Sequence, residues 1–86
     1  ADRISDTILD RFLQKDPFAK VACETFIADR LVVVAGEFHT SPAWLFETIR
    51  NEIPDLVRRV IRETGYDETF PGIDPDTCEI RLQLNS

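Results

Sequence analysis

Eighty-six residues, 43% hydrophobic, 30% charged and with only three glycines, describe one ordered domain with a small core rather than a disordered or multi-domain chain. A formal charge of −6 disfavours nucleic acid as a partner, because that binding rests on neutralising phosphates with Lys and Arg. Two cysteines without a secretory start, and no apolar run long enough to span a membrane, point to a cytoplasmic protein with reduced, buried thiols and no membrane association.

Ile4, Ile8, Leu9, Phe12 and Leu13 recur at spacings of three to four, which predicts an amphipathic helix. It should stop near Lys15, since the residue before Pro17 is biased away from helical angles. From Phe18 to Ala28 the β-branched and aromatic content predicts a strand, with Val21, Cys23, Thr25 and Ile27 on one face and Ala22, Glu24 and Phe26 on the other. Leu31 to His39 is a near-continuous apolar run, as expected of a strand covered on both faces or lying at an interface. Only Asp29 and Arg30 are strongly turn-like between the two, so an antiparallel hairpin is expected. An even-numbered loop centred there pairs even positions with odd ones and puts Glu24 and Glu37 on the same side of the sheet; an odd-numbered loop would separate them.

Ser41-Pro42 reads as a helix start, with a capping hydroxyl and a proline at the first helical position. Leu45, Phe46, Ile49 and Ile53 form one apolar stripe with Trp44 at its edge, and Leu56, Val57, Val60 and Ile61 form another. Pro54 between them predicts a kink or two successive helices. Gly65 suits the residue just past a helix end, and residues 66–75 read as a loop. Cys78, Ile80, Leu82 and Leu84 alternate with polar residues and predict a strand with one buried face. The order α-β-β-α-β implies an α+β two-layer domain, helices packed on one face of a small mixed or antiparallel sheet, spanning residues 1–86. The other sheet face is not obviously polar along Leu31 to Phe38, which suggests an interface with another domain or subunit, the alternative being a small domain with an edge strand tucked under a loop.

Few residues offer chemistry. Gly36, Gly65 and Gly72 lack the spacing of a phosphate loop, and Cys23, Cys78 and His39 are too few for a structural zinc site. His39 has no nucleophile at a readable spacing and reads as a surface or packing residue. Asp67, Asp74 and Asp76 read as turn and cap residues, and Arg58, Arg59 and Arg62 as a solvated helix face. Glu24 and Glu37 differ, because a carboxylate inside an apolar strand calls for a partner. That partner could be Lys20 or an arginine, the carboxylates could simply be exposed on an outer face, or the two could hold a metal ion or a substrate ammonium group.

The words ISDTILD at residues 4–10, DPFAKVACET at 16–25, AGEFHT at 35–40, and ETGYD with the later GID and TC at 63–78 carry a resemblance covering nearly the whole chain. The chain resembles the N-terminal domain of S-adenosylmethionine synthetases (methionine adenosyltransferases). The resemblance implies an enzyme that forms S-adenosylmethionine from ATP and L-methionine, releasing pyrophosphate and phosphate, with Mg2+ and K+ as cofactors. It implies that Glu24 is a K+ ligand, that Glu37 contacts methionine and that Ala22 lies beside that pocket. It also implies a homodimer or homotetramer with active sites between subunits.

The family's G-H-P-D-K and Q-S-P words should lie just before Ala1 and just after Ser86, and the start at Ala rather than Met agrees with a piece of a longer protein, so the chain alone is expected to be inactive. The Leu45 to Val57 region is longer than the usual family helix, and His39 stands where Thr or Ser is common. The alternative is a noncatalytic α+β binding or assembly module sharing the domain but not the chemistry.

Overall fold

The computed structural model describes residues 2–28, 30–64 and 73–85. It contains helix α1 (Asp2–Lys15), strands β1 (Lys20–Ala28) and β2 (Leu31–His39), helices α2 (Ala43–Arg50) and α3 (Ile53–Thr64), and strand β3 (Glu79–Asn85). The sheet is mixed, in the order β1-β2-β3. The central β2 runs antiparallel to β1 and parallel to β3. A parallel pair cannot be closed by a tight turn, and the crossover between β2 and β3 contains α2 and α3.

Both layers of the expected α+β fold are present. Ile4, Ile8 and Phe12 of α1 are fully buried against Val32, Val34 and Phe38 of β2, with Ile49, Ile53, Val57 and Ile61 from the other helices completing the core. Phe12, Phe38 and Phe46 stack in series, with ring centroids 5.0 and 5.8 Å apart, and so tie α1, β2 and α2 together. Val21, Cys23, Ile27, Ile80, Leu82 and Leu84 pack against the same core. All the helices therefore cover one sheet face.

The opposite face corrects part of the sequence reading. β2 is not covered on both sides: Leu31, Val33 and Ala35 are half-buried, Phe26 beside them on β1 is 56% exposed, and no described element lies over them. The second alternative for this apolar run, an interface, remains as a proposal. The hairpin register pairs Ala28 with Leu31, leaving two residues between the strands, as the even-numbered loop requires.

Three junctions depart from the sequence reading in detail. β1 begins at Lys20 rather than Phe18, because Asp16 organises a turn: its backbone carbonyl accepts from Ala19 N–H (3.0 Å) and its side chain from Phe18 N–H (3.1 Å). Ser41 does not cap α2. Pro42 occupies the cap position in an extended conformation with no side-chain cap bond, while Ser41 N–H donates to Asp16 Oδ2 at 2.8 Å. Pro54 divides the second helical region into two helices, and sits in the first turn of α3, where its missing N–H is no loss. Gly65, Asp67 and most of the expected 66–75 loop lie outside the described residues.

Candidate functional site

In the β1–β2 register Ala22 pairs with Glu37 and Glu24 with Ala35. Cross-strand partners share a face, so these four side chains form one quartet on the side of the sheet away from the helices. Ala22, Glu24 and Glu37 are exposed, and all three line an open depression of about 510 Å³ together with Val21, Cys23, Ala35 and Gly36. The structure thus brings together Glu24, Glu37 and Ala22, the three residues expected at a substrate or cation site. Glu24 and Glu37 are diagonal neighbours, a relation that places side chains about 7–8 Å apart in an antiparallel pair. Each carboxylate can take its own ligand without excluding the other.

The ion-pair explanation for these carboxylates fails among the described residues. The ion pairs there join Arg11 to Glu52, Arg59 to Glu63, Arg62 to Asp76 and Arg81 to Glu79, and none includes Glu24 or Glu37. Lys20 lies on the same face without pairing to either. Both side chains are exposed, as the outer-face alternative has it, and are accessible to an incoming cation.

Hard cations take oxygen ligands in sets of six or so. Glu24 offers such an oxygen, yet no group of three or more His, Cys, Asp or Glu among the described residues is placed to hold a metal ion. Among the described residues, then, Glu24 could supply only a part of a cation's shell.

The remaining sequence candidates have structural duties. Burial pushes the Cys23 thiol up, against a smaller opposing effect of its contact with Ser5, so it stays protonated and acts as a packing residue; Cys78 is buried and free. His39 is exposed at the end of β2, opposite Lys20. Asp74 builds a turn, accepting from Asp76 N–H through its side chain (2.8 Å) and from Thr77 and Cys78 N–H through its carbonyl. Arg58 donates to the carbonyls of Pro75 (2.8 Å) and Cys78 (3.2 Å), and Arg62 to Asp76 (2.6 Å). Two members of the basic cluster therefore fasten the segment before β3 to α3.

Sequence reasoning missed Val21, Cys23, Ala35 and Gly36 as lining residues. Ala35 follows from the register once Glu24 is taken as a site residue. Gly36 carried a signal of its own, because a glycine inside a strand often marks close backbone approach.

With this geometry in place, comparison with known proteins is specific. Residues 1–86 match the family described as S-adenosylmethionine synthetase, N-terminal domain. The chain is 44% identical over 85 residues, 99% of its length, to the S-adenosylmethionine synthase of Desulforudis audaxviator (strain MP104C). It is 46% identical over 79 residues, 92% of its length, to the S-adenosylmethionine synthase of Sorangium cellulosum (strain So ce56). These matches cover 20% and 17% of the respective relatives, so the chain spans about a fifth of their length.

Proposed function

The chain belongs to the S-adenosylmethionine synthetase N-terminal domain family, and from that premise we propose that it is most of the N-terminal domain of a methionine adenosyltransferase, joining ATP and L-methionine with release of pyrophosphate and phosphate. The observation that supports this reading is the pair of exposed carboxylates, Glu24 and Glu37, set diagonally on one sheet face and without an ion pair among the described residues. An ammonium group and a monovalent cation are both chemically suited to such carboxylates. In this reading Glu37 receives the methionine ammonium, Ala22 opposite it forms a small apolar wall, and Glu24 supplies one oxygen ligand to K+.

Mg2+ prefers a few carboxylates together with water and substrate phosphates, so in this proposal it enters with ATP at residues outside the described chain. The apolar strip along Phe26, Leu31 and Val33 then faces a second subunit, which closes the open depression and makes the active protein a homodimer or homotetramer. No helix among the described residues is long and apolar enough to cross a membrane. A cytoplasmic location and independence from nucleic acid accompany this reading.

The test is S-adenosylmethionine formation from ATP and methionine, with Mg2+ and K+, by the full-length parent protein and by its Glu37→Gln and Glu24→Gln variants. A charged hydrogen bond of about 1.5–3 kcal/mol predicts at least a tenfold rise in KM for methionine in Glu37→Gln, with KM for ATP within about twofold. Equal changes for both substrates would remove the role given to Glu37. Glu24→Gln should blunt activation by K+, and an unchanged K+ response would remove that assignment. A parent that forms no product favours the noncatalytic module.

A further inference from the structure

Gly36 lies at the centre of the quartet, between Ala35, which faces Glu24, and Glu37, which faces Ala22; its own partners are Cys23 on β1 and Leu84 on β3. A side chain there would meet backbone. An added Cβ would collide with the carbonyl oxygen of Ala22 and come within 2.9 Å of Cys23 Cα and 3.0 Å of the Ala22 carbonyl carbon. None of these is the movable end of a side chain. The strands could admit a Cβ only by parting, since the contact with Cys23 Cα must open from 2.9 Å to the 3.4 Å at which ordinary contact begins.

That parting would fall on the Ala22–Cys23 segment. Ala22 forms the cross-strand pair with Glu37, and Glu24 is the next residue after Cys23 on the same strand. We infer that Gly36 is a positioning residue for the carboxylate face: its missing side chain holds β1 close to β2 at this point, and so fixes the placement of Ala22 and Glu24 relative to Glu37. This inference rests on the reading of Glu37 as the methionine contact. Gly36 touches no ligand in it and acts through the separation of the two strands. A misplacement of about 1 Å at such a site can cost on the order of a hundredfold in rate.

The experiment compares Gly36→Ala with Glu37→Gln and Val34→Ala in the full-length parent. It measures KM and kcat for each substrate, methionine binding by calorimetry, and folding by circular dichroism. Val34 is fully buried on the same strand, and its pair with Thr25, next to the quartet in register, faces the helices instead, so Val34→Ala loosens the core without adding a Cβ at the close approach. Gly36→Ala should fold and should raise KM and the dissociation constant for methionine by about tenfold or more, with KM for ATP within about twofold. Val34→Ala should lower stability and leave methionine affinity unchanged.

Methionine affinity unchanged in folded Gly36→Ala, while Glu37→Gln loses it, overturns the positioning role alone. If Glu37→Gln also binds methionine normally, the reading of the site falls with it. Should Gly36→Ala not fold, the double variant with Cys23→Gly, which lets the β1 backbone yield at the point of contact, carries the same measurement. Normal methionine affinity in the double variant overturns the proposal. Failure of both to fold reduces Gly36 to a requirement of the fold and overturns it equally.

Discussion

Asp16 shows how one residue can decide several local outcomes. It is buried, and its two carboxylate oxygens accept from Phe18 N–H at 3.1 Å and Ser41 N–H at 2.8 Å, joining the end of α1 to the connection that leaves β2. Asp16→Ala leaves both part-buried donors without that partner, at a cost of about 1.5–3 kcal/mol as for hydrogen bonds to a charged group. Urea unfolding should show a lowered midpoint with an unchanged slope, because the loss is local and the surface exposed on unfolding is the same. A midpoint equal to that of the unaltered chain would mean that water replaces the carboxylate without penalty. At the same scale Glu24 and Glu37 have the opposite character: they are exposed, make no ion pair among the described residues, and contribute little to the fold.

Among the elements, α1 is held to the helical pair by more than its apolar stripe. Arg11 of α1 makes two hydrogen bonds to Glu52 in the α2–α3 connection, Nε to Oε1 at 2.8 Å and Nη2 to Oε2 at 3.2 Å. The hydrogen bond from Arg11 holds the Glu52 carboxyl below the ordinary carboxylate range, with burial opposing and charge attraction adding. A carboxylate with a depressed folded-state pKa contributes stability that is present above its unfolded pKa and is lost as pH falls through the folded value. Arg11→Met should therefore unfold at a lower temperature than the unaltered chain at pH 7. The gap should shrink on acidification below the unfolded value of 4.5. The pair is partly solvated, so the effect at neutral pH is about 1 kcal/mol or less. A gap that stays constant from pH 7 to pH 3 would locate the loss in packing of the Arg11 stem.

For the molecule as a whole, the two sheet faces make different demands. The helix-covered face is satisfied within the chain, whereas the other carries Phe26 at 56% exposure beside half-buried Leu31 and Val33. A chain of this length buries a modest share of its surface, and an apolar strip left in water adds to the reasons for association. If that face meets a second subunit in the parent, Phe26→Asp should shift the parent toward smaller species in sedimentation velocity while its circular dichroism is preserved. An unchanged distribution would put the subunit interface elsewhere. Because the candidate quartet lies on the same face, weakened association should lower S-adenosylmethionine formation in parallel.

Local periodicity determined the order of helices and strands and, in α1 and β1, which residues share the inward face: Ile4, Ile8 and Phe12 in the first, and Val21, Cys23 and Ile27 in the second, fall inside together as their spacing requires. The pairing of the carboxylate face was legible only on condition of an even-numbered loop, and the pairing of Ala28 with Leu31 supplies the parity that puts Glu24 and Glu37 on one side. Only the tertiary structure decided that β3 joins β2 in parallel, that Ser41 gives its N–H to Asp16 instead of capping α2, that Arg58 and Arg62 fasten the segment before β3, and that Gly36 sits against the β1 backbone. Each of these joins residues far apart in the chain. Their partners are chosen by packing and by the need to satisfy buried polar groups, and of these contacts only that of Gly36 leaves a mark in the local sequence pattern, a glycine inside a strand.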